Sequence, residues 1–114
     1  MNYSEKLRDP RWQKKRLEIM GRDLFTCQKC GNKSETLNVH HRHYLTGRDP
    51  WDYPGELLIT VCQPCHHQEE NAKTNADELF KTLHFWGYFN TEIIAVMNKM
   101  IEERMDHKVE AKMG

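Results

Sequence analysis

Residues 38–70 read NVHHRHYLTGRDPWDYPGELLITVCQPCHHQEE. This stretch holds five of the seven histidines of the chain and two of its four cysteines. The other two cysteines, Cys27 and Cys30, come shortly before it. Cysteine and histidine are common ligands of transition metals. The stretch therefore predicts two metal sites around which the fold is organised, one structural and one catalytic.

The four cysteines form two Cys-x-x-Cys pairs, Cys27/Cys30 and Cys62/Cys65. Each pair offers two sulfurs on a tight turn, at about 2.3 Å from a zinc ion. The 31 residues between the pairs exceed the usual spacing of about 15–20, so the His-rich stretch is an insert between them. Two disulfides or four free thiols are the alternatives. No signal peptide is visible, so we expect a cytoplasmic protein with few disulfides. A structural Zn²⁺ is the prediction.

Three histidines, His40, His41 and His66, point to a second site. If the chain is extended at Asn38–Leu45, neighbouring side chains point to opposite faces, which predicts one metal ligand and one base in the pair His40/His41. Pro64 suits the first turn of a helix that carries Cys65, His66 and Glu70. His66 and Glu70 are four residues apart and share a helix face. A strand histidine with these two ligands leaves positions on an ion open for water and phosphate.

Three parts of the sequence together resemble the HNH endonucleases of the ββα-metal (His-Me finger) group: Val39-His40-His41, Pro50-Trp51-Asp52-Tyr53-Pro54, and Leu58 to His66. The resemblance covers about residues 5–70. It implies an α+β fold, in which a β-hairpin and the following helix hold one divalent ion, a four-cysteine zinc site supports them, and helices lie at both ends.

The resemblance also implies roles for individual residues. His40 matches the strand metal ligand, His41 the general base, and His66 the helix ligand; the catalytic ion would be Mg²⁺ or Mn²⁺. Metal-assisted hydrolysis of a DNA phosphodiester, leaving a 5′-phosphate, is the implied reaction.

The sequence departs from the family pattern at two positions. Glu70 stands where many relatives have a histidine or a basic residue, and Leu57 stands where the middle Asn of the family is expected, nine residues before His66. That Asn buttresses the loop between the strands, so another group is required here. A catalytically inactive, zinc-stabilised nucleic-acid-binding module is the alternative function. A protein-interaction adaptor that uses the C-terminal helix is a third.

Charge is unevenly distributed in a chain whose formal net charge is zero. Residues 1–33 hold nine Lys or Arg against four Asp or Glu, whereas residues 34–114 hold eight against thirteen. The basic end predicts contacts with nucleic-acid phosphates, with double-stranded DNA as the expected partner. An ordinary solvated helix face is the alternative. The predicted phosphate-binding residues are Arg11, Lys14, Lys15, Arg42 and Arg48. No apolar run approaches the length of about 20 residues that a membrane span needs.

The order of elements predicts a nuclease domain over residues 1–75, which includes the basic N-terminal helix, and a helical extension over 76–114 packed on the same domain. Asp9-Pro10 predicts a helix from Pro10 to about Met20, ended by Gly21. Residues 75–78 (Asn-Ala-Asp-Glu) predict a helix start by their capping-box pattern. The last helix, from Asn90 or Thr91, carries a Met-rich apolar stripe that either packs on the domain or forms a partner surface, including that of a dimer.

Overall fold

The computed structural model describes the backbone of residues 1–113 and the side chains of residues 1–108. Its elements are α1 (Tyr3–Leu7), α2 (Pro10–Arg22), β1 (Leu37–His41), β2 (Leu58–Cys62), α3 (Gln63–Phe85) and α4 (Asn90–Met113), with short 3₁₀ turns at Pro50–Asp52 and Gly55–Leu57. The fold is small and α+β, with an antiparallel two-stranded hairpin followed by a long helix. This confirms the predicted order of hairpin and helix.

The hairpin places the two histidines of β1 at its loop end, next to the segment that connects the strands. β1 and β2 pair antiparallel, with Leu37 opposite Cys62 and His41 opposite Leu58. Inward-facing Val39 and Leu58 are buried and pack with residues of α2. Burial of one face fixes the register, because a slip of one residue would turn every side chain to the other face.

Helix α2 begins as predicted, with the Asp9 side chain accepting a hydrogen bond from Arg11 N and Pro10 in the first turn. Its predicted end at Gly21 is wrong, because the helix continues to Arg22. Leu24 adopts a left-handed φ of 56°, and Phe25 N donates to Met20 O over 2.8 Å. This is a Schellman-type helix end, in which a left-handed residue after the helix ends it.

Helix α3 contradicts the helix start predicted at Asn75. It runs without interruption from Gln63 to Phe85, because neither glycine nor proline occurs between Cys65 and Phe85. A capping-box sequence ends up inside a helix when the preceding residues are themselves helical. Gly87, with φ of 89°, follows the end of α3, and α4 begins at the predicted Asn90.

The chain divides into two compact units, Met1–Ala72 and Lys73–Gly114. The first unit contains both buried clusters, one around Trp12 and Leu58 and one around the cysteines. In the second unit, Ile93 is buried, while the described residues of the apolar stripe of α4 are exposed: Ile94, Met97, Met100, Ile101 and Met105. The predicted packing of residues 76–114 on the domain of residues 1–75 stays a prediction. None of the described helices has the length and apolar character that a bilayer crossing requires.

An ion pair at the end of α2 ties this helix to the hairpin. Arg22 donates to the carbonyl oxygens of Gly55 and Leu58, each over 2.8 Å, and forms a two-pronged pair with Asp23. Asp23 also accepts a hydrogen bond from Thr60 N over 2.9 Å. Burial opposes ionisation of Asp23, but the bonds from Arg22 and Thr60 outweigh it and lower its carboxyl pKa.

Replacement of Arg22 by alanine is expected to lower the free energy of unfolding by about 2–3 kcal/mol, because it removes charged hydrogen bonds and leaves the Asp23 carboxylate without its cation. This value lies at the low end for a buried pair because the Arg22 side chain is 44% exposed. Urea unfolding at constant zinc measures it. Lys14→Ala, on an exposed position of the same helix, is the control and should change stability by less than about 0.5 kcal/mol. Equal values for the two variants would contradict the assigned role of Arg22.

Candidate functional site

The four cysteines lie together, as their spacing predicts. Their sulfur atoms lie within 4.8 Å of one another, and Cys30 Sγ and Cys62 Sγ are 3.7 Å apart. Four sulfurs at about 2.3 Å from a zinc ion in a tetrahedron are about 3.8 Å apart, whereas a disulfide requires about 2.05 Å. All four are free cysteines. The cluster is therefore consistent with a structural zinc.

The backbone around the cysteines favours thiolate at one of them. Burial opposes ionisation of Cys27, but N–H groups of Cys30, Cys62 and Lys29 outweigh it and lower the thiol pKa to about 6. At Cys65, the hydrogen bond with Cys62, together with burial, raises the thiol pKa to about 12. The cluster therefore resists the accumulation of several negative charges. A divalent cation among the sulfurs would compensate them.

The first cysteine pair is held on the hairpin by backbone and side-chain bonds. Gly31, directly after Cys30, has a left-handed φ of 81°, a conformation that glycine adopts without a steric penalty. Gln28 N donates to Thr60 O of β2 over 2.9 Å, and Lys29 pairs with Glu69 of α3 over 2.9 Å. The turn, the strand and the helix thus bring the two cysteine pairs, distant in sequence, to one place.

A second group joins the strand and the helix. His40 Nδ1 lies 3.3 Å and His66 Nε2 3.6 Å from the same oxygen of Glu70, Oε1. Ligand atoms of all three residues lie within 4.8 Å of one another. Neighbouring ligands bonded at about 2.1 Å to one ion are about 3.0–3.5 Å apart, depending on the coordination number. The three residues could therefore hold a divalent cation.

His41 is separated from His40 by the alternation of the strand, and its ring is surrounded by aromatic side chains. It stacks on Trp12 with a centroid separation of 4.9 Å and meets the Tyr53 ring edge-on at 4.6 Å. Its Nε2 lies 3.4 Å from Pro50 O. A carbonyl oxygen only accepts, so Nε2 carries the proton in this hydrogen bond and the lone pair of the neutral ring lies on Nδ1.

The loop between the strands is buttressed by Tyr53. Its buried hydroxyl accepts a hydrogen bond from Leu45 N over 2.8 Å and donates to Leu45 O over 3.4 Å. Leu57, where the resemblance calls for an asparagine, has no polar side chain. Tyr53 therefore supports the loop in place of an asparagine at position 57. Because Tyr53 is buried, its ring is not accessible for stacking on a nucleobase.

A cavity of about 540 Å³ connects the second group with His41. Its lining includes His41, His66 and Glu70, and further residues from α1, α2, β1 and the loop after β1 complete it: Tyr3, Leu7, Trp12, Gln13, Arg16, Asn38, Val39 and Tyr44. Partial burial and the nearby Tyr44 hydroxyl raise the pKa of Tyr3 to about 12, so this phenol stays uncharged at neutral pH. The cavity thus brings His41, His66 and Glu70 to one place.

The predicted phosphate-binding residues lie in two places. Arg11, Lys14 and Lys15 line a shallow groove of about 250 Å³ on α2, together with Glu18 and Trp51. The Arg11 guanidinium is already engaged, since it pairs with Asp9 and lies 4.1 Å from the centre of the Trp51 ring. Exposed Arg42 and Arg48 belong to the loop between the strands, and the described lining of the cavity does not include them.

The lining residues that the sequence analysis does not predict as site residues include Tyr3, Arg16 and Tyr44. Tyr3 belongs to α1, whose start is a capping box of Asn2 and Glu5, and this pattern was the available signal. Arg16 lies one helical turn from Trp12, and Tyr44 follows His41 by three residues. His43 and His67, the other two histidines of residues 38–70, are exposed.

Comparisons of this chain with protein families, with curated proteins and with solved structures gave no match.

Proposed function

We propose that this chain is a metal-dependent endonuclease of the HNH type, which hydrolyses phosphodiester bonds of DNA. One observation carries the proposal: His66 and Glu70, which together with His40 could hold a metal ion, line the same cavity as His41, whose Nδ1 is the basic nitrogen of the ring. A cation site beside a positioned base is the arrangement that metal-assisted hydrolysis needs. The four-cysteine cluster holds the hairpin and α3 in place.

The two groups divide the reaction between them. His41 Nδ1 takes a proton from water, the water oxygen bonds to phosphorus, and the bond from phosphorus to the 3′ oxygen breaks. The 3′ oxygen takes a proton from solvent, so the products are a 3′-hydroxyl and a 5′-phosphate. A divalent ion such as Mg²⁺ or Mn²⁺ held by His40, His66 and Glu70 would stabilise charge on the phosphate and on the departing oxygen.

The chain's own side chains also position the reactants. Pro50 O holds the tautomer of His41, and Trp12 and Tyr53 fix the plane of its ring. Arg16 brings a positive charge to the wall of the cavity, with its Nη1 bonded to Gln13 Oε1 over 2.7 Å. A fixed cation beside a phosphate favours the more highly charged transition state.

Incubation of supercoiled plasmid with the zinc-loaded chain, with and without added Mg²⁺ or Mn²⁺, tests the proposal. Nicked or linear plasmid that forms only with the added ion is the expected result. Absence of cutting under every metal condition, by a folded protein, would overturn it.

A nucleic-acid-binding module without catalysis is the second candidate, and Leu57 favours it because the family asparagine is absent at this position. It predicts retention of labelled DNA in a binding assay together with an intact plasmid. The groove with Lys14 and Lys15 would then account for binding. Lys14→Ala with Lys15→Ala should weaken binding and lower its salt dependence by about one unit of slope for each phosphate that these lysines neutralise.

Glu70→Gln is expected to raise the Mn²⁺ concentration needed for half-maximal cleavage by at least about 10-fold, because the variant removes the anionic ligand of the group. Titration of cleavage against Mn²⁺ at fixed zinc measures this. Glu69→Gln is the matched control: its carboxylate is next in the same helix but pairs with Lys29. The two variants should keep equal zinc contents. A Glu70→Gln enzyme with an unchanged Mn²⁺ requirement would exclude Glu70 as a ligand.

A further inference from the structure

A column of three rings leads from the buried core to the surface of the cavity. Trp12 and His41 are 4.9 Å apart at their centroids, with planes 24° apart. His41 and Tyr44 follow at 5.9 Å and 17°. Each neighbouring pair of rings is therefore stacked, at a centroid separation within the range of offset stacking.

The last ring of the column is accessible to solvent. Trp12 and His41 are buried, each with about 5% of their surface exposed, whereas Tyr44 is 50% exposed. Tyr44 lies in the loop directly after β1 and lines the cavity with His66 and Glu70. One face of the Tyr44 ring is thus covered by His41. The residue is half exposed and lies in the wall of the cavity that DNA would enter.

Tyr44 is a loop residue whose ring is supported from one side by the stacked rings of His41 and Trp12. Its support by His41 and Trp12 keeps the ring oriented, so a planar group that stacks on it costs the protein little conformational freedom.

We propose that Tyr44 is a stacking platform for the nucleobase next to the scissile phosphate, and that the substrate strand is unpaired at that step. This inference rests on the proposed nuclease function and names the form of nucleic acid that the site accepts. A base inside a duplex has both faces covered by its neighbours, so only a single-stranded, frayed or distorted site offers a free face. Every base has such a face, so little sequence preference is expected from this stacking.

The position of the column links recognition to chemistry. The base that stacks on Tyr44 would extend the Trp12–His41–Tyr44 column by one ring, which places its attached phosphate beside His41 and the group of His40, His66 and Glu70. Stacking would therefore set the distance between the general base and the phosphorus atom, in the way that substrate-positioning groups do.

The test measures binding and stacking separately from cutting. A labelled single-stranded oligonucleotide is titrated with the zinc-loaded chain, without added Mg²⁺ or Mn²⁺, and affinity is read by fluorescence anisotropy. Tyr44→Leu is expected to weaken binding by about 5- to 150-fold, the range for removal of one base–aromatic stack. Tyr44→Phe keeps the ring and should bind within about twofold of wild type. Tyr88→Leu, at a tyrosine of the second unit that is also 50% exposed, is the matched control and should bind like wild type.

A second readout reports the stack itself. A single-stranded oligonucleotide with 2-aminopurine at its internal positions should become less fluorescent on binding to wild type and to Tyr44→Phe, but not on binding to Tyr44→Leu. Equal affinity and equal quenching for Tyr44→Leu and wild type would overturn the inference. Plasmid cleavage by wild type separates this result from failure of the proposed function: a chain that cuts DNA but does not need the Tyr44 ring is a nuclease without this platform.

Discussion

Replacement of His41 by alanine is expected to lower the rate of plasmid cleavage by about 10²–10⁴, the usual contribution of a general base. The reason is the position of its ring. Nε2 is committed to Pro50 O, so Nδ1 is the nitrogen that accepts the proton of water, and the cavity that it lines also holds His66 and Glu70. Single-turnover cleavage at saturating Mg²⁺ measures the chemical step.

The burial of His41 calls for a second variant, because alanine also removes a ring from the core. His41→Asn keeps a planar side chain with an N–H that can donate to Pro50 O, but it has no basic nitrogen. It should reduce activity to a similar extent while its unfolding midpoint stays closer to that of wild type. Added imidazole should restore part of the activity of His41→Ala and none of that of His66→Ala. Full activity in His41→Asn would contradict the assignment of the base.

The residues that the sequence places correctly are those whose chemistry depends on spacing. Two Cys-x-x-Cys pairs predict one cluster of four sulfurs, and the structure brings all four within 4.8 Å. The alternation of a strand separates His40 from His41, and a separation of four residues brings His66 and Glu70 to one helix face. Both rules follow from the local geometry of a strand or a helix, so they hold wherever that element forms.

The details that the sequence does not give are those that long-range packing decides. The Pro50–Pro54 segment is expected to pack the loop, but the hydrogen bond from Leu45 N to the Tyr53 hydroxyl exists only once the loop has closed. The end of α2 follows from the left-handed Leu24, a conformation that sequence favours only for glycine and asparagine. The stack of Trp12, His41 and Tyr44 joins two elements that are distant in sequence, so Tyr44 carries no signal of its own.

Removal of the four-sulfur zinc site is expected to have the largest effect on stability. Structural zinc binding contributes apparent free energies of about 10–16 kcal/mol, whereas whole domains are stable by about 5–15 kcal/mol. The first unit, Met1–Ala72, is in the size range where a core alone rarely supplies more than about 3–5 kcal/mol. Cys62 is buried and is the last residue of β2, directly before α3. Cys62→Ser should therefore leave the first unit unfolded at room temperature.

Zinc content, circular dichroism and X-ray absorption measure this prediction. Wild type should retain one zinc with four sulfurs at about 2.3 Å, and a strong chelator should remove the zinc and the helical signal together. Dithiothreitol at a concentration too low to strip zinc should leave the zinc content and the helical signal unchanged. A fold held by two disulfides would instead lose its helical signal in dithiothreitol and keep it in the chelator. A chain that stays folded after complete zinc removal, or Cys62→Ser with wild-type helix content, would show that the sulfurs are not the element that holds the hairpin and α3 together. Because His40 and His66 lie on those two elements, the proposed catalytic group can form only if they are held, so the chelated chain should also fail to cut DNA when Mg²⁺ is present in excess.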